Sequence, residues 1–186
     1  MPLTTLPDEL QVPVELQEAW NAHPDIVKLG DPVLRQVAQP VTRVNAATQD
    51  LIRRMTRAMR EANGLGLAAP QVGVSLRVIM YDTGEGLRVL INPKIIAMQG
   101  EQTDPPEGCL SIPGLQGIVK RAREIRVKAF DERMRPVTRR ATGLEARVIQ
   151  HEVDHIDGIL FIDRAEPDTL HWITDAEEEA SDATRE

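Results

Sequence analysis

A single cysteine, Cys109, excludes an internal disulfide framework and leaves metal ligation or reactivity as that thiol's special roles. Aromatic residues are scarce as well. Two Trp, one Tyr and two Phe in a chain of net charge −7 make a nucleic-acid-binding protein a poor reading. No apolar run approaches the length needed to cross a bilayer, so no membrane partner is expected. Residues 1–21 hold four acids and no Lys or Arg, which fits neither a signal peptide nor a transit peptide; a cytoplasmic location is the expectation. The charge is uneven: residues 1–22 carry −4 and residues 175–186 carry −5, which leaves +2 on residues 23–174. Both ends read as solvated appendages that should not hold RNA phosphates. The 41% hydrophobic and 27% charged content is that of a globular chain with room for a core. We therefore expect an N-terminal extension over 1–24, one catalytic domain over 25–174, and a disordered acidic tail over 175–186.

The strongest positive signal is Gln150-His151-Glu152-Val153-Asp154-His155-Ile156-Asp157-Gly158. On a helix, residues four apart lie one above the other, so His151 and His155 can reach the same metal ion, with Glu152 at the edge of that face. This is the H-E-x-x-H pattern of two ligands and a general base. Thr142 and Glu145 read as a capping box at the helix start, Leu144, Val148, His151 and His155 as one stripe, and Gly158 as the stop. The bland alternative is a buried helix whose histidines are merely hydrogen-bonded.

A catalytic site of this kind needs a third protein ligand. The extended H-E-x-x-H-x-x-G-x-x-H form has Gly158 in place, but its last ligand position holds Phe161. Glu166 and Glu177 to Glu179 lie downstream, the latter in the acidic tail. His23, His171 and Cys109 remain, and a thiolate is the best soft ligand for a transition ion. Cys109 also sits in the distinctive run Glu107-Gly108-Cys109-Leu110-Ser111-Ile112-Pro113-Gly114. It is the favoured ligand.

Along the rest of the chain, a short helix is expected around Val14 to Ala22 and extended or turning backbone over Ile26 to Val41. A long helix is expected over Asn45 to Ala62, with Asn45 as N-cap. Gly64 to Gly73 is small and apolar with one polar side chain, Gln71. It lacks the Lys-Ser/Thr of a phosphate loop, so it reads either as backbone bared for an extended chain to lie against or as a tight packing turn. Leu76 to Asp82 and Leu87 to Ile91 should form a hairpin, broken by Asn92-Pro93 and resumed over Lys94 to Gln99. Ile118 to Asp131 alternates as one strand with a wet face of Arg and Lys, paired with Arg135 to Thr142. The fold expected is α+β: antiparallel β-sheets packed around the central H-E-x-x-H helix, with a second long helix nearer the N-terminus.

Three segments together, GLGLAAPQVG at 64–73, EGCLSIPG at 107–114 and QHEVDHIDG at 150–158, resemble the signature motifs of peptide deformylases in identity, order and spacing. The resemblance covers roughly residues 25–163. It implies a metal-dependent hydrolase that removes the formyl group from the N-terminal formyl-methionine of newly made polypeptides. By the same resemblance Cys109, His151 and His155 would hold the ion, and Glu152 would be the acid/base. Gln71 and the backbone N–H of Leu110 would bind the carbonyl oxygen. The ion would be ferrous iron, with zinc, nickel or cobalt able to occupy the site. An extended formyl-methionyl peptide would lie beside Leu65, Gly66 and Gly108, its methionine side chain near Ile112 and Val148. Transient proximity to the ribosome belongs to the same picture, but the N-terminal extension and acidic tail depart from the family and give it no support. Two rival readings are a zinc endopeptidase, disfavoured by Phe161 and the setting of Cys109, and a non-enzymatic scaffold with a structural metal, for which no fourth ligand is visible.

Overall fold

The computed structural model describes residues 11–173, so the expected acidic tail lies outside the described residues. The first helix, α1 (Gln17–Asn21), is short, and Leu16 just before it rests against Gly114. The second, α2 (Ala46–Glu61), starts where expected: Asn45 accepts from the backbone N–H of Thr48 at 3.0 Å, and the Thr48 side chain reaches back. Strands β1 (Gly66–Ala68), β2 (Val78–Tyr81) and β3 (Arg88–Gln99) follow as antiparallel neighbours. Next come β4 (Glu107–Cys109), β5 (Ile112–Gly117), β6 (Glu124–Phe130) and β7 (Pro136–Thr142). The third helix, α3 (Gly143–Ile156), carries the two histidines, and β8 (His171–Trp172) closes the described chain.

These strands form a five-stranded sheet in the order β1-β2-β3-β6-β7 and a three-stranded sheet β4-β5-β8. Alternation on β6 sends Ile125, Val127 and Ala129 to one face of the larger sheet, where they meet Ala146, Ile149, Val153 and Ile156 of α3. The opposite face at β2 carries Val78 and Met80, covered by Leu51, Ile52, Met55 and Met59 of α2. Met55 is fully buried, and burying a side chain of that size contributes roughly 1.5–3 kcal/mol. A third apolar cluster gathers Cys109, Ile112, Leu115, Leu160 and Phe161 beneath the smaller sheet, with Trp20 and Trp172 at its rim. Antiparallel sheets around a central helix are thus the observed α+β architecture.

Several local expectations are corrected. Thr142 is the N-cap of α3 in extended backbone but makes no side-chain capping bond. Glu145 turns instead to the Tyr81 hydroxyl, which donates to it at 2.9 Å, and to Arg139, because a buried phenol needs a partner more than an exposed helix end does. Leu144 leaves the apolar stripe and is 42% exposed. Asn92-Pro93 does not break β3: the strand runs through with register shifts at Ile91/Lys94 and Ile95/Ala97. The Asn92 amide side chain satisfies the backbone N–H and carbonyl of Val41, both at 2.8 Å. Residues 118–123 are not one strand with 124–130; they cross between the sheets by bridges to Ala165 and Gln102.

Gly158 stops α3 at φ +75°, and a Cβ there would sit 2.8 Å from the Arg35 carbonyl oxygen. Gly158→Ala should therefore lose about 2 kcal/mol or more in urea unfolding, since both conformation and contact oppose it. Asn45→Ala, which removes only a cap, should lose about 1 kcal/mol. Equal losses would mean that Gly158 is not sterically required.

Candidate active site

Helical spacing brings the His151 and His155 rings to a centroid separation of 5.0 Å on one face of α3. β4 runs past that face and delivers Cys109, whose Sγ lies 3.3 Å from His155 Nε2. The ligand atoms of Cys109, His151 and His155 all lie within 4.8 Å of one another. Neighbouring ligands of a tetrahedral ion are roughly 3.5 Å apart, so this cluster fits one ion. His23 and His171 are not among these residues. Phe161, at the position of the missing histidine, is fully buried and stacks on His151 at 6.3 Å.

The His151 ring is oriented from behind. Its Nδ1 lies 3.0 Å from a carboxylate oxygen of Glu107, which places the proton on Nδ1 and turns Nε2 towards Cys109. Glu107 also accepts from Arg121 Nε at 2.8 Å, Arg121 Nη2 at 2.9 Å and Arg147 Nη1 at 3.3 Å. Arg121 in turn donates to Asp154 at 2.6 Å, and Asp154 receives a two-pronged contact from Arg164. Burial alone would raise the Glu107 pKa, but the hydrogen bonds from Arg121 and His151 outweigh it and hold it down to about 2. Arg121 is buried, contrary to the expectation that the Arg and Lys of Ile118 to Asp131 face water.

Gln71 is 1% exposed, and its amide orientation follows from its bonds. Oε1 accepts from the Ala68 N–H at 2.8 Å, which leaves Nε2 facing Ser111 Oγ at 3.3 Å and Cys109 Sγ at 3.6 Å. The Ser111 N–H also donates to Cys109 Sγ at 3.4 Å, which fixes the sulfur from its own loop. Residues 27–29 tie these loops together: the Val27 N–H donates to the Gln71 carbonyl at 2.8 Å, and the Leu29 N–H to that of Ser111 at 2.9 Å.

Glu152 is buried against β1. A Cβ on Gly66 would lie 2.4 Å from Glu152 Oε1 and 2.8 Å from Val148, so glycine here makes room for the helix as well as baring the strand. Glu152 Oε2 has no hydrogen-bond partner among the described residues. Burial, opposed by His151 and reinforced by Glu107, pushes the Glu152 pKa up to about 7. A buried carboxyl with one uncommitted oxygen, beside three clustered ligands, is suited to exchange a proton with a water or an amide. Leu65 is exposed, Gly108 is open on β4, and the Leu110 side chain lies over Gly64. Ile112 is fully buried beneath Cys109, so it shows no face to a ligand.

A family model for polypeptide deformylase matches residues 24–170. The chain belongs to the polypeptide deformylase family. A relative, the peptide deformylase of Pelotomaculum thermopropionicum, is 51% identical over 140 residues, covering 75% of this chain and 90% of that one. The solved peptide deformylase of Thermotoga maritima superposes with a TM-score of 0.74 at 42% identity, covering 76% of this chain and 97% of that one. A class I type b enzyme from Acinetobacter baumannii, solved with Met-Ala-Ser bound, superposes with a TM-score of 0.71 at 35% identity, covering 75% of this chain and 96% of that one. The protein is thus a metal-dependent deformylase that removes the N-terminal formyl group from newly made polypeptides.

The motif residues were legible from sequence; the Glu107–Arg121–Asp154–Arg164 chain and the 27–29 strap were not. Arg121 stands next to Lys120 in Val119-Lys120-Arg121-Ala122, and nothing in that local run marks it as the buried one of the two. Because Glu107 titrates lower in the folded deformylase than its ordinary 4.5, its contribution is present above that value and is lost as pH falls towards about 2. The stability gap between parent and Glu107→Gln should be constant above pH 5 and close by on the order of 3 kcal/mol towards pH 2. Urea titrations across that range measure it; a gap that ignores pH would show that the ion pairs contribute nothing.

Proposed function

We propose that deformylation takes place at Cys109, His151 and His155, with Glu152 moving the proton and Gln71 with the Leu110 N–H holding the formyl oxygen. The observation that carries this assignment is the uncommitted, buried Glu152 oxygen beside the three-ligand cluster. One thiolate and two imidazoles suit a divalent transition ion, and ferrous iron is the proposed occupant in the cell, with zinc, nickel or cobalt as substitutes. When bound, the ion lowers the pKa of a coordinated water and so provides the nucleophile at neutral pH.

The chain's own residues do the remainder. Glu152, a base once ionised, takes the proton as attack on the formyl carbon begins and returns it to the departing amine. Negative charge gathers on the formyl oxygen, to which the Gln71 Nε2, its amide fixed by the Ala68 N–H, would donate. Water exchange is limited by the burial of Glu152, Gln71 and Cys109. The leaving peptide would run extended beside Leu65, Gly66 and Gly108, backbone to backbone. Val148, at the edge of Gly66, is the proposed wall for the methionine side chain, and buried Ile112 supports Cys109 from beneath. A nascent N-formylmethionyl chain is the proposed partner, met in the cytoplasm.

Formate release from formyl-Met-Ala-Ser, with protein prepared under argon and loaded with ferrous iron, tests the assignment. Glu152→Ala should retain the metal and lose turnover, whereas Cys109→Ser should lose metal as well. Metal loss in Glu152→Ala would move that carboxylate into the ligand set. Gln71→Ala should fall roughly a hundredfold to a thousandfold in kcat, as expected when one oxyanion donor is removed. The iron-loaded enzyme should also decay faster in air than under argon through oxidation of Cys109; equal lifetimes would contradict an iron-bound thiolate.

A further inference from the structure

The face of the five-stranded sheet opposite α3 is only partly covered. α2 packs over Val78 and Met80 of β2 and Ile91 of β3, with Phe130 of β6 beside them. Farther towards the β7 edge the exposed residues include Lys94 and Ala97 on β3, Arg126 and Lys128 on β6, and Thr138 and Arg140 on β7. Their register is unusual. Lys94 stands directly opposite Lys128, and Arg126 stands directly opposite Arg140. Like charges in direct opposition destabilise a sheet, so folding alone does not call for this arrangement. The single carboxylate on these three strands, Glu124, is held by Arg140 through two bonds of 2.7 Å. Among the described residues no carboxylate forms an ion pair with Lys94, Arg126 or Lys128.

We propose that this face docks the phosphate backbone of RNA without reading its sequence. Alternate residues on a strand are roughly 6.6 Å apart and neighbouring strands about 4.8 Å, so the cations form a flat grid suited to a line of phosphates. The patch offers no aromatic surface on which bases could stack, since Phe130 lies at the end beside the α2 cluster. A membrane surface is a poorer match. Ile96, at the β3 bulge, and Met98, paired with Ile125, are the exposed large apolar side chains of β3, whereas lipid insertion needs a continuous apolar face. The whole chain is acidic at −7, so the docking is local and salt-sensitive rather than a long-range attraction. The patch lies at the β7 edge and Gly66 meets Glu152 at the β1 edge, so bound RNA leaves the cleft open. This inference is independent of the catalytic roles assigned above.

The test uses the metal-loaded full chain and a fluorescent single-stranded RNA of about 20 nucleotides, followed by anisotropy between about 50 and 200 mM salt. The parent should bind with a slope of log affinity against log salt of about −2 to −3, equivalent to three or four phosphates. The triple variant K94E/R126E/K128E should bind at least tenfold more weakly with a slope near zero, while releasing formate from formyl-Met-Ala-Ser at the parent rate. The neutral variant K94Q/R126Q/K128Q should fall between them, which keeps the test open if the reversed charges impair folding. Equal RNA affinity in parent and variants would overturn the proposal. So would phosphatidylglycerol vesicles or poly-glutamate displacing the RNA at equal charge concentration, which would point to a lipid surface or an acidic protein instead.

Discussion

Glu107 carries its charge into the interior, where an unpaired carboxylate is too costly to persist, and the site is built around what neutralises it. Arg121 supplies two hydrogen bonds, Arg147 a third, and His151 a fourth through Nδ1. The partners come from two separate parts of the chain. Glu107 and Arg121 flank the smaller sheet's hairpin, while Arg147 and His151 lie a turn apart on α3. Satisfying one carboxylate therefore fixes the distance between β4 and α3. That distance decides whether Cys109 meets His155, since the thiol is only two residues beyond Glu107. Asp154 and Arg164 extend the chain of charges, so Arg121 itself is held on both sides.

The same helix serves two surfaces because its residues alternate in purpose. Ile149, Val153 and Ile156 bury against the large sheet, while His151, Glu152 and His155 turn to β1 and β4. Gly66 permits the closest approach: any side chain there would displace Glu152 and Val148. A residue without a side chain thereby lets a buried acid stand directly beside the edge strand of the larger sheet. The acid's raised pKa follows from that enclosure, and its second oxygen has no hydrogen-bond partner among the described residues. Gln71 is committed in the opposite sense, one end locked by Ala68 so that the other faces Ser111 and Cys109.

Some features were legible because they depend on neighbours in sequence. Asn45 caps α2 by reaching three residues ahead, and His151 and His155 share a face by helical period alone. Thr142 and Glu145 satisfied the same local pattern and failed it, because the Tyr81 hydroxyl from another strand claims Glu145. Arg121 was read as solvated on its alternation with apolar neighbours. Its partners Glu107 and Asp154 lie 14 and 33 residues away, beyond any local pattern.

By itself the sequence determined the chemical types at the site, the helix that pairs two imidazoles, and the family to which three spaced motifs point. Those depend on residue identity and on short-range periodicity, which one strand of text contains. Only the tertiary structure decided how Cys109 meets the histidines, which ring nitrogen faces the cluster, and why Gly66 must lack a side chain. It also decided which arginines are buried and which lie in an exposed cationic row. Those outcomes depend on distances between segments far apart in the chain, set by two sheets closing on one helix.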